Sequence, residues 1–97
     1  MAIGVICKDT IKAGQKAAYL AHMAEMIRLT HEEDGCLAYD LYEPEGGSET
    51  DLVMIELWET KEALDKHMAS EHFQRLIPGG DIYKAAPTDI KIFSKVS

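Results

Sequence analysis

The sequence predicts an α+β fold of the ferredoxin-like type, in which an antiparallel sheet of element order βαββαβ carries its helices on one face. Two observations predict it. Strand-like and helix-like segments follow one another in this order along the 97 residues, with loop-forming residues between them. In addition, a strand in the middle of the chain has apolar side chains on both faces, so one face has to meet helices and the other a second layer.

The composition is that of one globular domain. Hydrophobic residues make up 46% of the chain and charged residues 28%, which is ordinary for a folded protein. Ninety-seven residues are close to the commonest domain length, and we expect residues 1–97 to form a single domain. The formal net charge of -7 argues against nucleic acid as a partner, because binding to phosphate backbones depends on clustered lysine and arginine.

The first half of the chain predicts a strand and a long helix. Residues 2–8 are a short, partly β-branched segment that predicts the first strand, and the polar pair Asp9 and Thr10 predicts a turn after it. Residues 15–33 contain neither glycine nor proline, which predicts the first helix, and Gly35 follows its end. The apolar stripe predicted for this helix consists of Leu20, Met23, Ala24, Ile27 and Thr30.

The second half predicts a hairpin, two helical segments and a last strand. Residues 36–43 and 52–59 read as neighbouring antiparallel strands, separated by loop-forming residues at 44–48. Thr60 is the predicted N-cap of a helix over Lys61–Ala69, and Ser70 the cap of a short helix that stops at Pro78. Alternating residues at 89–95 predict the final strand.

The third predicted strand indicates a homodimer. Neither of its faces is polar enough for a solvated surface, and helices cover only one side of such a sheet. The simplest partner for the other side is a second copy of the chain. The two faces carry, respectively, Leu52, Met54, Glu56 and Trp58, and Val53, Ile55 and Leu57.

The remaining sequence features point to the cytoplasm. The apolar run at the N-terminus is too short for a signal peptide, and no stretch approaches the length needed to span a bilayer, so no membrane partner is expected. Cys7 and Cys36 lie far apart without a CxxC spacing, and we expect buried free thiols rather than a metal site or a redox pair.

Two stretches resemble the antibiotic biosynthesis monooxygenase family, particularly its quinol monooxygenase-like members. Residues 53–73 resemble the family's E-x-W…H…H-F stretch, with Glu56, Trp58, His67, His72 and Phe73 at the motif positions. Upstream, residues 33–39 resemble the E-P-G-C-L-x-Y segment that opens the second strand. The motifs occur in the expected order, and the similarity extends over nearly the whole chain.

The resemblance implies a dimeric α/β barrel, with a pocket in each subunit between its sheet and its helices. Members of this family include cofactor-independent oxygenases acting on polyphenols and quinols, haem-degrading enzymes, and an isomerase of a phosphorylated signalling sugar. The fold therefore transfers better than the reaction. Haem degradation is disfavoured, because the asparagine that this branch places on its first strand has no counterpart in residues 2–8.

The leading hypothesis is a cofactor-independent monooxygenase that converts a small phenol or hydroquinone to a quinone. His67 is the candidate base, because an imidazole can deprotonate a phenolic hydroxyl near neutral pH. Glu56 would enter the same layer and orient His67 or His72, or form only a structural pair. His67 has an alternative as well, a packing role on an amphipathic helix.

Four further residues are predicted to bind the substrate. Trp58 would stack on a planar ring and offer its indole N–H to a bound oxygen, or simply fill the core. Tyr39, His72 and Phe73 would shape the pocket and its mouth, although Tyr39 and His72 also fit plain structural roles. His22 and His31 on the first helix are expected to be solvated or to lie at a helix end.

Two other classes of function stay open. One is an acid–base isomerase of a small carbonyl or phosphorylated sugar compound, although Arg28 and Arg75 are the only arginines available for a phosphate. The other is a non-catalytic dimeric module that binds an apolar small molecule. No metal-ligand spacing, glycine-rich phosphate loop or serine nucleophile motif is present, so no cofactor or metal is expected.

Overall fold

A computed structural model describes residues 1–97 and has the predicted order of strands and helices. Four strands form one antiparallel sheet in the order β2-β3-β1-β4, and the helices lie on one of its faces, which is the ferredoxin-like α+β arrangement. The second helical region is divided in two. The elements are β1 (Ile3–Thr10), α1 (Lys16–His31), β2 (Cys36–Tyr42), β3 (Asp51–Trp58), α2 (Lys61–Ala69), α3 (Glu71–Gly79), a short 3-10 turn (Asp81–Tyr83) and β4 (Asp89–Ser94).

Strand β1 is longer than predicted. Asp9 and Thr10 were expected in a turn, yet they continue the pairing with β3, opposite Leu52 and Asp51. The backbone hydrogen bonds of the ladder outweigh the turn preference of a single aspartate. Asp9 is therefore buried on the side of the sheet that faces the helices.

The strand pairing places the core on one side of the sheet. Val5 lies opposite Glu56 and Cys7 opposite Met54, so these side chains share the face that meets the helices. Trp58, Met54 and Leu52 alternate along β3 on this face and are all buried. The predicted division of β3 into two faces is confirmed.

Helix α1 packs on the sheet with a stripe that matches the predicted one in part: Met23 and Thr30 are buried and Ile27 packs against the core, as predicted. The buried residues are Tyr19, Met23, Met26 and Thr30, whereas Leu20 is 41% exposed and Ala24 is exposed as well. Both stripes have helical spacing, and burial of the Tyr19 ring and Met26 removes more apolar area from water than burial of Leu20 and Ala24 would.

Capping hydroxyls set the bend between α2 and α3. Thr60 Oγ1 accepts a hydrogen bond from the backbone N–H of Ala63 at 3.1 Å, as predicted for the start of α2. Ser70 Oγ donates to the carbonyl of His67 at 2.7 Å and accepts from the N–H of Phe73 at 3.2 Å. One serine thus closes α2 and opens α3.

The outer face of the sheet carries an apolar patch that is uncovered in the single chain. Ile55, Leu57 and Phe93 are exposed there, and they lie on the side of the sheet opposite to the helices. Every residue of the edge strand β4 is exposed. No helix of the chain combines the length and the apolar character that crossing a bilayer requires.

Substitution of Gly35 tests how closely the turn before β2 packs on α2. Gly35 has φ +83°, and a Cβ there would lie 2.6 Å from the Cβ of Ala63, whereas Gly14 has φ +78° with nothing within 4 Å. Gly14→Ala should lower the free energy of unfolding by about 1 kcal/mol through backbone strain alone. Gly35→Ala should cost roughly 1–3 kcal/mol more because the two methyl groups overlap. Urea unfolding of both variants checks this, and equal losses would contradict the close packing.

Candidate active site

A cavity of about 650 Å³ lies between the sheet and the helices α1 and α3, and the segment that precedes β4 closes one end of it. Ten of its sixteen lining residues are hydrophobic, which is typical of a site for a small organic molecule. The polar side chains of the wall are Asp9, Glu56, Asp81, Lys84 and Thr88, and three of the ten hydrophobic residues, Cys7, Tyr19 and Tyr39, add a thiol and two hydroxyl groups.

Glu56 is the titratable group that β3 presents to this cavity. Its Oε1 accepts a hydrogen bond from the indole N–H of Trp58 at 3.0 Å, and its Oε2 accepts a longer one from the Cys7 thiol at 3.7 Å. Burial raises the pKa of the Glu56 carboxyl, an effect that the two donors oppose and the Glu33 carboxylate adds to. Glu56 therefore has a carboxyl that is a stronger base than a solvated one.

The groups next to Glu56 are held in their neutral forms. Burial raises the pKa of the Cys7 thiol to about 12, and the nearby charge of Glu56 contributes. The pKa of Tyr39 is raised by burial and then by the charge of Glu56. Both cysteines are free, as predicted, but they are half-buried rather than buried. The cavity thus offers one carboxyl beside a neutral thiol and a neutral phenol.

A second polar group occupies the end of the cavity near β4. Asp9 Oδ1 accepts from the hydroxyl of Thr88 at 2.6 Å, and its Oδ2 accepts from the Tyr19 hydroxyl at 3.3 Å. Lys84 Nζ donates to Thr88 Oγ1 at 2.7 Å and lies 3.6 Å from Asp9 Oδ1. These hydrogen bonds hold the segment of residues 84–88 against β1, so this segment forms the wall at this end of the cavity.

Half of the predicted site residues line the cavity. Glu56, Tyr39 and Phe73 are in its wall. Trp58 is fully buried outside the wall, and because its N–H already donates to Glu56, the expected donor to a bound oxygen is taken. His67 and His72 are not in the wall either.

His67 lies next to two of the aromatic rings that line the cavity. Its ring centroid is 5.2 Å from that of Tyr39, 5.1 Å from that of Phe73 and 4.6 Å from that of Trp58. Burial lowers the pKa of His67, whereas the hydrogen bond with Glu33 and its charge oppose that shift. Tyr39 and Phe73 thus line the cavity and are neighbours of the imidazole, which does not line it itself.

Of the two roles expected for Glu56, orienting a histidine or forming a structural pair, the structure shows a pair. Glu56 has no hydrogen bond with His67 or His72; Glu33 Oε2 lies 2.7 Å from His67 Nδ1 and 2.7 Å from His72 Nε2. Glu56 is instead engaged by Trp58 and Cys7, because its position two residues before Trp58 brings its carboxyl to the indole of the same strand face. Glu33 opens one of the two family-like stretches, which is the signal that was available for finding it.

The two histidines of α1 differ in outcome. His31 is exposed and is the last residue of α1, as expected, and its Nε2 lies 2.9 Å from the carbonyl of Tyr39. His22 is instead half-buried within the helix, and its Nε2 lies 2.8 Å from the carbonyl of Leu76. Asp9, Lys84 and Thr88 were not among the predicted site residues. No local pattern marks them, because the closure of the sheet alone brings β1 and the segment before β4 together.

The fold and the cavity define a class of small α+β proteins that enclose a small-molecule site between sheet and helices. The chain belongs to the antibiotic biosynthesis monooxygenase family, whose sequence pattern matches residues 2–78. The resemblance seen in the sequence is thereby confirmed.

Three similar proteins illustrate the match. Rv0793 of Mycobacterium tuberculosis, whose name assigns it provisionally to the monooxygenases, is 38% identical over 71 residues, which are 73% of this chain and 68% of that protein. A conserved protein of Methanosarcina mazei superposes with a TM-score of 0.92 at 30% identity, covering 99% of this chain and 94% of that one. SnoaB of Streptomyces nogalater, a cofactor-independent oxygenase, has the same fold, with a TM-score of 0.86 at 14% identity and coverage of 99% and 94%.

The raised pKa of Glu56 predicts a pH-dependent cost to folding. The folded chain holds the Glu56 proton to higher pH than the unfolded chain, where the pKa is near its ordinary value of 4.5. The wild type therefore loses stability as the pH rises through and above that value. Glu56→Gln keeps an acceptor for the Trp58 N–H without a charge, so the variant should match the wild type near pH 4 and exceed it at about pH 8.

Urea unfolding at both pH values checks this prediction. The surface substitution Glu62→Gln serves as the control, since Glu62 is exposed and should show no such divergence. A Glu56→Gln chain that is less stable than wild type at the higher pH would mean that the carboxylate is stabilised in the fold rather than penalised.

Proposed function

We propose that the protein is a cofactor-independent monooxygenase that converts a small phenol or hydroquinone to a quinone with molecular oxygen. One observation carries the proposal: a buried carboxyl of raised pKa, Glu56, in the wall of a largely apolar cavity of about 650 Å³. Such a cavity accepts a flat aromatic ring, and the carboxyl accepts its proton.

The proposed reaction needs no external reductant. A phenol and one O₂ give a quinone and one water, and a hydroquinone and one O₂ give a hydroxyquinone and one water. In both cases one oxygen atom enters the ring and the other leaves as water. The substrate gives up two hydrogens to this water and supplies all four electrons that O₂ takes up. The protein therefore has to contribute only proton transfer, orientation and exclusion of water.

Glu56 is the proposed proton acceptor. A phenolate gives an electron to O₂ far more readily than the neutral phenol, and general-base catalysis is efficient when the pKa of the base is close to the working pH. Trp58 holds one carboxyl oxygen in place through its N–H at 3.0 Å. The other oxygen has only the weak thiol contact of Cys7 and remains available to a substrate hydroxyl.

His67, the base predicted from the sequence, is the second candidate for that role after Glu56. His67 is 1% exposed and does not line the cavity, so it could reach a substrate only after neighbouring side chains moved. We assign His67 instead to holding the aromatic wall. Tyr39 and Phe73 are the proposed contacts to the substrate ring.

The charge of the cavity favours a phenol over a phosphorylated compound. Three carboxyl groups, from Asp9, Glu56 and Asp81, line it against the single ammonium of Lys84. Neither arginine lines it; Arg28 pairs with Glu32, and Arg75 pairs with Glu25 and Glu71 on the surface. The isomerase alternative would need a cationic site for the phosphate, so it is disfavoured. The oxygen-uptake experiment below distinguishes the oxygenase from a binding module without turnover.

The similar proteins support the oxygenase class. The family is named for monooxygenases, Rv0793 is provisionally placed among them, and SnoaB works without a cofactor. We extend this class to the present chain on the strength of its cavity. The two free thiols accord with a reducing compartment, and we propose the cytoplasm as the site of action.

We also propose that the functional unit is a homodimer joined through the outer face of the sheet. Ile55, Leu57 and Phe93 form an apolar surface there that a second copy would cover. This arrangement is the dimeric barrel that the family resemblance implies.

Replacement of Glu56 tests the reaction. Oxygen uptake should be measured with a panel of hydroquinones and naphthols, after subtraction of their autoxidation without protein. Glu56→Gln should lower kcat/KM by about 10²- to 10⁴-fold, the usual contribution of a general base. His67→Asn should have a smaller effect, and the surface control Asp65→Asn, at an exposed position of α2, should have none.

Two results would overturn the proposal. Turnover by Glu56→Gln at nearly the wild-type rate would remove Glu56 as base, and a larger loss in His67→Asn would return that role to the imidazole. If the wild type binds these compounds, as seen by quenching of Trp58 fluorescence, but consumes no oxygen, the protein is a binding module.

A matched pair of leucine substitutions tests the dimer. Leu57 is 39% exposed on the outer face of the sheet, and Leu20 is 41% exposed on α1 in the opposite layer. Leu57→Lys should raise the dimer dissociation constant by at least about 100-fold, since symmetry places the lysine in the interface twice. Leu20→Lys should remain dimeric. Light scattering after size exclusion gives the mass, and a monomeric wild type would contradict the arrangement.

A further inference from the structure

Three side chains converge at the bend between α2 and α3, away from the cavity. His67 belongs to the last turn of α2, His72 to the first turn of α3, and Glu33 follows the end of α1. Glu33 Oε2 lies 2.7 Å from His67 Nδ1 and 2.7 Å from His72 Nε2. The three donor atoms all lie within 4.8 Å of one another.

This set of donors is that of a transition-metal site. Imidazole nitrogen and carboxylate oxygen are common ligands of Zn²⁺, and two histidines with one glutamate leave further positions open for water. In the metal-free arrangement each imidazole directs one nitrogen at the same oxygen. Replacement of the two protons by one divalent ion keeps all three groups directed at a common centre.

We propose that Glu33, His67 and His72 form a binding site for a divalent ion of the zinc class, one per chain. The site rests on its own observations and not on the proposed oxygenase reaction, because none of the three residues lines the cavity.

The movements that an ion requires are on the scale of side-chain rotations. Zinc lies about 2.0–2.2 Å from nitrogen and oxygen ligands, so tetrahedral donors are about 3.4 Å apart. The Glu33 oxygen, 2.7 Å from each nitrogen, therefore has to move away from both by roughly 0.7 Å. The two nitrogens lie within 4.8 Å of each other and have to approach by at most about 1.4 Å, to which rotations of the Glu33 and His72 side chains contribute.

The surroundings permit an ion to enter and to stay. The side chains of Glu33 and His72 are 16% exposed, so water reaches the site from their side, whereas the His67 side chain is 2% exposed and held by packed rings. Glu33 forms ion pairs with no lysine or arginine, and its Oε1 accepts no hydrogen bond from the chain. A cation would thus meet a carboxylate that is not already paired with a lysine or an arginine.

Calorimetric titration with ZnCl₂ tests the site in tag-free protein first treated with a chelator. The wild type should bind one Zn²⁺ per chain, and His72→Asn should weaken this binding by at least about 100-fold, because a ligand is lost. His31→Asn is the matched control: His31 Nε2 also lies near a carboxylate, at 3.1 Å from Asp40 Oδ1, but it is exposed and has no second histidine. It should bind zinc like the wild type.

Substitution of Co²⁺ supplies an independent readout, since bound Co²⁺ should give visible absorption in the wild type and in His31→Asn only. If circular dichroism shows that His72→Asn is unfolded, Glu33→Gln replaces it in both measurements. The proposal is overturned if the wild type binds no Zn²⁺ at about 100 μM, or if a folded ligand variant binds it as tightly as the wild type. The oxygen-uptake result has no bearing on either outcome.

Discussion

The hydrogen bond from the Trp58 indole to the Glu56 carboxyl is the interaction around which the interior is organised. A buried indole N–H needs an acceptor, and a buried carboxyl needs a donor. The single contact of 3.0 Å meets both needs, because the two residues share one face of β3. The Trp58 ring then supports the imidazole of His67, whose centroid lies 4.6 Å away, and so helps to position α2.

The interior therefore contains two separate polar centres. One is Glu56 with its neutral neighbours in the cavity wall; the other is Glu33 between two histidines at the bend of the helices. Tyr39 and Phe73 connect the two centres, since each ring lines the cavity and also packs near His67. The family motifs intermix the two centres along the chain, and only the fold separates them.

The sequence was sufficient for the order of elements and for the caps, because these depend on local residues: Thr60 and Ser70 bind backbone groups three residues ahead. It was insufficient for the face of α1. Leu20 and Tyr19 are neighbours with equally good helical spacing, and packing against the sheet decides between them. Asp9 was missed for a related reason, since strand pairing with β3 overrode a local turn preference.

Ser70, besides capping two helices, determines how His67 and His72 are oriented relative to each other. His67 and His72 are five residues apart, and on an uninterrupted α-helix such residues point about 140° away from each other. Ser70 has extended backbone angles, with φ -69° and ψ 155°, so the helical screw is broken once between them. The break turns both rings toward the same carboxylate. An alanine-rich continuous helix over residues 61–79 would keep every histidine in the sequence and lose their convergence.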